Sequence, residues 1–317
     1  MKKKISIVSP CFNEEENVTD CYKAVRNIFE TELPDYDYEH LFVDNCSTDK
    51  TRSVIRDLCA NDKRAKAVFN SRNYGPFRST FNALRHTSGD AVMPMLPVDG
   101  QDPPELISKF VELWSQGFYK VAGVRVKREE NIVMRALRHI FYSLLKRTAN
   151  VSIIPQATEF QLIDRHVVNA LLRHQDYYPY IRGMIANIGF DQKSTTVEYV
   201  WKKRAKGVSK NSIYALIDQA INGLVSFSNI PMRLLLIGGF LISTLSILYA
   251  VVQAIYVLIS ENDIMAGIPT IIVAIFFFAG IQLFFLGVVG EYVSAIHSQV
   301  RSQHLVIEDE LINVNEK

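Results

Sequence analysis

Two stretches of this 317-residue chain, 234–260 and 264–290, contain no Asp, Glu, Lys or Arg. Each is 27 residues long and holds 16 Leu, Ile, Val or Phe residues. As helix, each would run about 40 Å, longer than a hydrocarbon core about 30 Å thick. At ~0.3–0.6 kcal/mol per central apolar residue, insertion into a bilayer is favourable even after discounts for Ser, Gln and Pro. The competing solution, a helical hairpin buried in a large soluble domain, is disfavoured by these lengths. The linker Glu261-Asn262-Asp263 has no basic residue, whereas Arg233 precedes the first run and Arg301 follows the second. This distribution predicts two spans, a short outer loop and both ends in the cytosol. With 48% hydrophobic residues and a mean hydropathy of +0.06, the chain is neither disordered, nor a disulfide scaffold, nor a wholly soluble enzyme.

Charge divides at the same place. The formal net charge is +2; the residues after 231 carry −4, leaving +6 on the rest. A mildly basic domain beside a membrane suits anionic headgroups or phosphorylated substrates, and the bias is too weak to indicate nucleic acid. Cys11, Cys21, Cys46 and Cys59 form no C-x-x-C pair and no His cluster accompanies them, which predicts reduced thiols rather than zinc. The apolar stretch after Met1-Lys2-Lys3-Lys4 is too short for a signal-peptide core and reads as a first strand, which keeps the N-terminal domain cytosolic.

Through the first half, strand-like runs at 4–9, 40–44, 66–69 and 91–96 alternate with helical patterns near 15–30, 49–60 and 77–87. Alternation of this kind predicts βαβ units and a mainly parallel sheet, with ligands beyond the carboxyl ends of the strands. Polar clusters follow the strands there: Asn13-Glu14, Asp44-Asn45, Asn70 to Asn73, and Asp99 to Asp102. Either these are ordinary polar loops or they rim a binding cleft; carboxylates and amides in every loop favour the cleft.

Residues 131–149 pattern as a helix with Val133, Leu137, Ile140, Phe141 and Leu144 on one face and Arg135, Arg138, Lys146 and Arg147 elsewhere. Such a helix lies on a membrane surface or packs on the core with a solvated basic face; the downstream spans favour the membrane. Residues 213–231 read as an amphipathic juxtamembrane helix ending at Pro231. The division is therefore a cytosolic domain over 1–212, the juxtamembrane helix over 213–231, two spans within 232–297 (about 234–260 and 264–292), and a cytosolic acidic tail over 298–317 that reads as flexible.

The segment Pro97-Val98-Asp99-Gly100-Gln101-Asp102-Pro103-Pro104-Glu105 follows a strand and offers hard oxygen donors at Asp99 and Gln101. Mg²⁺ or Mn²⁺ bound by one or two protein groups plus substrate phosphates needs little more; the alternative is an Asp-rich helix-capping loop. Arg125, Lys127 and Arg128 follow a strand over 119–124, and Lys202, Lys203, Arg204, Lys206 and Lys210 cluster later, beside Gly207 and Ser209. A departing diphosphate needs such charges. For Lys202 and Lys203 a solvated face or a lipid headgroup is the preferred reading.

Ser9-Pro10-Cys11-Phe12-Asn13-Glu14-Glu15, Val43-Asp44-Asn45-Cys46-Ser47-Thr48-Asp49, Ser71-Arg72-Asn73-Tyr74-Gly75 and the Asp99 to Glu105 segment resemble the successive signatures of glycosyltransferase family 2. Glu159 to Arg165, Arg182-Gly183-Met184, Arg204 to Lys210 and Ser226-Phe227-Ser228 resemble its polyprenyl-phosphate branch, dolichyl-phosphate mannose synthase-like; the two spans resemble its bacterial bactoprenol glucosyltransferases. The resemblance covers residues 4–296.

It implies an α/β GT-A fold, Rossmann-like with a mainly parallel sheet, amphipathic interface helices and a C-terminal transmembrane hairpin. It also implies an inverting transfer from a UDP- or GDP-linked sugar to polyprenyl phosphate, with Mg²⁺ or Mn²⁺, in the bacterial inner membrane for envelope glycans such as lipopolysaccharide. Carried over, Pro10, Phe12, Asn13, Glu14, Asp44, Arg72 and Asn73 bind the donor. Asp99 and Gln101 hold the metal. Arg125, Arg128, Arg204, Ser209 and Lys210 meet phosphates. Glu159 is either an acceptor-side base or orienting group, or a strand-edge ion-pair partner. Membrane lipids are implied partners, and a homo-oligomer is allowed.

Four positions depart from the family pattern: Pro97 for the first Asp of the metal loop, Asn45 for a second Asp, Pro76-Phe77 after Gly75, and Glu159 for Asp. These departures allow an unusual sugar, another acceptor such as a diacylglycerol or lipid-linked saccharide, or a scaffold that has lost catalysis. A transporter is disfavoured, because two spans without internal charge offer no polar path.

Overall fold

The computed structural model describes residues 2–127, 157–174, 176, 179–202, 204, 206, 235, 237–242, 244–245, 248–249, 251–252, 255, 268–300 and 306–314. The chain forms two compact units, residues 1–217 with 303–317, and residues 218–302.

In the first unit, strand and helix alternate as β1 (Lys4–Cys11), α1 (Val18–Thr31), β2 (Asp37–Asp44), α2 (Thr51–Asn61), β3 (Ala65–Asn70), α3 (Pro76–Ala83), β4 (Ala91–Met93), α4 (Ile107–Ser115) and β5 (Lys120–Lys127). After residues outside the described set come β6 (Ala157–Asp164), α5 (Arg165–Leu171), α6 (Ile181–Asn187) and β7 (Ser194–Val200). Apolar spacing sets the helix faces. Val18, Cys21, Tyr22, Val25, Ile28 and Phe29 bury one stripe of α1, and Ile107, Phe110, Val111 and Trp114 do so in α4. These stripes cover β-branched and aromatic residues of the sheet, among them Ile5, Ile7, Phe42 and Phe69, all fully buried. Strands covered in this way read as continuous hydrophobic runs.

With β8 (Glu308–Ile312), eight strands among the described residues lie in the order β7-β5-β6-β4-β1-β2-β3-β8. β1 pairs parallel with β2 and β4, β2 with β3, and β5 with β7; β6 runs antiparallel between β4 and β5. The carboxyl ends of β1, β2, β3, β4, β5 and β7 therefore share one rim. β4 is shorter than the 91–96 run suggests. Pro94 has no N–H for the ladder, so the chain leaves the sheet, although Leu96 N–H still donates to Val8 O at 2.8 Å.

The expectation for the C-terminal tail is corrected. Residues Glu308–Ile312 form β8, antiparallel to β3, with Ala67 opposite Ile312 and Phe69 opposite Glu310. Asn313 closes the strand by donating to Cys59 O at 2.8 Å and Ala65 O at 2.9 Å. No periodicity argument finds a five-residue strand with three acidic residues. Its stabilisation comes from the open edge of β3, about 240 residues earlier in the chain.

In the second unit, α7 (Ile268–Val300) is 33 residues long. Its Phe277–Val300 portion is long and apolar enough to cross a membrane. Phe277, Leu283, Phe284 and Leu286 are each at least 60% exposed, as lipid-facing side chains would be. The described residues of the first apolar run are helical. Both basic and juxtamembrane helices expected from sequence, 131–149 and 213–231, lie outside the described residues.

Candidate active site

The loop after β1 and the loop after β2 are stitched together before any ligand is considered. Asn13, at φ +53°, donates its N–H to Ser47 Oγ at 2.9 Å and accepts from Thr48 N–H through Oδ1 at 2.7 Å. Glu14 N–H donates to Thr51 Oγ1 at 2.8 Å. Pro10 faces Val43 across the ladder, and Pro10 and Phe12 are both half-buried at the rim. Asp44 ends β2 fully buried; it accepts from Ser47 N–H at 3.0 Å and from the Ser47 hydroxyl, and Arg52 Nε stands 3.5 Å away. Burial raises the Asp44 pKa, and the Ser47 bonds and Arg52 only partly offset it.

Asn45, absent from the sequence-derived site, explains one departure. Its Oδ1 accepts from Asn70 Nδ2 at 3.0 Å, from the Ser79 hydroxyl and from Tyr74 N–H at 3.4 Å. The amide is a buried acceptor that ties the loop after β2 to the loop after β3. Arg72 and Asn73 are exposed in that third loop. The Arg72 guanidinium lies 4.3 Å from the Tyr74 ring centroid, and Asn73 Oδ1 accepts from Gly75 N–H at 2.8 Å.

The fourth loop carries Asp99. Gly100 sits at φ +71°, which glycine adopts without strain, and the turn brings Gln101 N–H to Asp99 Oδ1 at 3.2 Å. Asp99 is half-buried, and burial raises its pKa against the pull of the Gln101 N–H and Arg204. Arg204, beyond β7, reaches both sides of the cleft: Nη1 lies 3.7 Å from Asp99 Oδ2 and Nη2 donates to Glu14 Oε1. Arg204 Nε also donates to Lys206 O at 2.9 Å, and Lys206 pairs with Asp20 at 2.8 Å, so this strap closes on α1. Lys202 N–H donates to Gln101 O at 3.0 Å while its ammonium pairs with Glu105 at 3.2 Å, in keeping with the solvated role read for it.

Arg125, expected from sequence at a phosphate, is paired within the domain: Nη2 donates to Asp102 Oδ1 at 3.0 Å and Oδ2 at 3.3 Å, and Nε donates to Tyr199 Oη at 3.0 Å. Tyr199 also donates to Asp102 at 2.5 Å, and the guanidinium lies 4.6 Å from the Trp201 ring centroid. Asp102, Arg125 and Tyr199 thus lock the fourth loop to β5 and β7. Asp102 lay inside a recognised motif, but Tyr199 sits 97 positions away with no local signal. Glu159, on β6, is half-buried with Oε1 4.0 Å from Arg182 Nε of α6. Arg128, Ser209 and Lys210 lie outside the described residues.

Among the described residues, no group of three His, Cys, Asp or Glu side chains converges on a metal position. A metal cage is not required by the chemistry. Asp99 is a single hard carboxylate at the strand rim, Asp102 is committed to Arg125, and Pro97 supplies no donor. Mg²⁺ and Mn²⁺ accept one or two protein oxygens when substrate phosphates complete the shell, so the residues fit a divalent cation that arrives with a diphosphate.

Residues 6–177 match Glycosyl transferase family 2. A bactoprenol glucosyl transferase of Shigella phage SfX is 34% identical over 301 residues, covering 95% of this chain and 97% of its own. The chain belongs to glycosyltransferase family 2. The SfII prophage-derived bactoprenol glucosyl transferase of Shigella flexneri is also 34% identical, with 95% and 96% of the two chains covered. Glucosyl-3-phosphoglycerate synthase from Mycobacterium tuberculosis, crystallised with Mn²⁺, UDP and phosphoglyceric acid, superposes with a TM-score of 0.50 at 20% identity, over 71% of this chain and 78% of that one. That likeness shows the fold: the family 2 enzyme has a GT-A catalytic domain on a mostly parallel sheet.

Proposed function

We propose that this family 2 enzyme moves a sugar from a nucleoside diphosphate to polyprenyl phosphate at the cytoplasmic face of a bacterial inner membrane, supplying envelope glycan modification. The observation that carries this reading is similarity to bactoprenol glucosyl transferases over 95% of the chain, apolar C-terminal runs included. The rim geometry supports it, because carboxylates from two loops and a guanidinium face one another where a diphosphate would dock.

In this reaction an acceptor phosphate oxygen forms a bond to the anomeric carbon as the bond from that carbon to the diphosphate oxygen breaks, with inversion. The electron pair leaves on the nucleoside diphosphate. Pro10, Phe12, Glu14 and Asp44 line the nucleoside pocket in this reading, and Asn13, Arg72 and Asn73 complete the donor site. Asp99 and Gln101 would hold a divalent cation, which when bound neutralises charge on the diphosphate. Arg204, already between Glu14 and Asp99, needs only a side-chain movement to reach phosphate oxygens. A phosphate monoester has its second pKa near 6, so the acceptor is largely ionised at neutral pH. Glu159 therefore orients the acceptor, with Arg182 neutralising it, and no strong base is required.

The test uses full-length protein in detergent with radiolabelled UDP- and GDP-sugars, undecaprenyl phosphate, and Mg²⁺ or Mn²⁺. The expected product is an acid-labile lipid-linked sugar, lost by about 10²–10³-fold in Asp99→Asn. An acid-stable diacylglycerol glycoside would reassign the acceptor. Absence of product with every donor, or full activity in Asp99→Asn, would reject the site.

A further inference from the structure

β8 is attached to the domain by its backbone ladder to β3 and by Asn313, so its three acidic side chains are not needed merely to hold it there. Each nevertheless has a defined partner. Glu308 accepts from Asn82 Nδ2 and pairs with His86 Nε2, both at 2.5 Å. Glu310 pairs with Arg56 at 2.6 Å. Asp309 accepts from Arg52 Nη2 at 2.7 Å. Because β8 runs antiparallel, it begins at the same rim as the catalytic loops, and Ser71 N–H donates to Ile307 O at 3.0 Å.

Arg52 is the informative partner. Its side chain is 22% exposed and is constrained at three points. One end donates to Asp309, the guanidinium lies 4.8 Å from the Phe69 ring centroid, and Nε faces Asp44 Oδ2 at 3.5 Å. Asp44 has no exposed surface; its hydrogen bonds come from Ser47 and the Cys46 backbone, and Arg52 is the cation that faces it. A planar guanidinium can address two carboxylates at once, which an ammonium cannot do as well.

We propose that Arg52 is a positioning residue for the donor pocket, and that Asp309, from the strand that follows the apolar segment, holds Arg52 against Asp44. The C-terminal strand is then a working part of the nucleotide site. Ile307 steadies the loop bearing Arg72 and Asn73, and Asp309 steadies the residue that orients Asp44. This inference rests on Asp44 lining the donor pocket, and the experiment separates the two.

Titration calorimetry of UDP and GDP with Mn²⁺ is run on the full chain in detergent. Arg52→Gln should weaken nucleotide binding by about tenfold and Asp309→Asn by about threefold, in the range of coupled contacts and half-exposed ion pairs. Arg52→Lys should recover part of the loss. Glu310→Gln, which alters the same strand away from Arg52, should bind as the parent does. In turnover, donor KM should rise while kcat at saturating donor and KM for the lipid phosphate stay unchanged; a merely destabilising change would lower active fraction and kcat instead. If Arg52→Gln and Asp309→Asn bind nucleotide like the parent while Asp44→Asn does not, the inference is overturned and the pocket stands. If Asp44→Asn also binds normally, the pocket reading falls and takes the inference with it.

Discussion

His40 lies in the middle of β2, fully buried, with Nε2 2.9 Å from Ser9 Oγ and its ring 4.1 Å from that of Phe42. Burial holds its pKa down to about 3. The native imidazole is therefore neutral, while the unfolded chain takes up a proton below the ordinary value of 6.5. Stability should fall as pH drops from 6.5 toward 3, by up to about 1.4 kcal/mol per pH unit from this residue. Denaturation of the parent and His40→Gln across that window checks the prediction: the variant's pH slope should be shallower by about one proton, whatever its absolute stability. Sequence patterning places His40 in a strand, but the size of its perturbation depends on packing by residues far along the chain. Asn45 teaches the same lesson. As a sequence it looks like a weakened acidic site; in the fold it is the acceptor for three donors, from the end of β3, the loop after it and α3.

At the scale of elements, the first five strands and first three helices were legible because each carries a periodic signal and is followed by a polar loop. The less legible features lie where a long-range partner decides. Arg125 reads as a phosphate ligand because it is basic and follows a strand; its pairing with Asp102 and Tyr199 carried no signal in the spacing. Asp102 is only 4% exposed at its side chain, and that guanidinium is its ion-pair partner. Arg125→Ala should destabilise the domain by about 3–5 kcal/mol by leaving a buried carboxylate uncompensated. It should also reduce turnover by misplacing the Asp99 loop. Chemical denaturation read alongside nucleotide binding tests this: weakened binding with unchanged stability would restore Arg125 as a phosphate ligand. Tyr199, on the edge strand β7 and outside the recognised motifs, had no spacing signal to mark it.

For the whole molecule, the ladder between β3 and β8 limits the path of the chain. Residues before 218 and after 302 belong to one compact unit, so whatever crosses a bilayer between them must cross an even number of times. That parity supports the two-span hairpin read from the apolar runs. It predicts that Asn262→Cys reacts with an impermeant maleimide added outside intact cells, whereas Glu310→Cys reacts only after permeabilisation. Labelling of position 310 from outside would reverse the orientation, and labelling of 310 while Arg56→Cys stays protected would contradict the ladder. The split into a polar-rimmed domain and an apolar segment was readable from charge alone, but the return of the chain was not, since an acidic pentapeptide has no hydrophobic face to announce it. The same pairing bears on how the catalytic half can be isolated. Cutting the gene after codon 212 would strip β3 of its neighbour and leave a naked row of amides and carbonyls, the kind of edge that recruits other chains. A soluble excised domain therefore needs its last dozen residues grafted back, for instance through a flexible linker, before its behaviour in solution says anything about the intact enzyme.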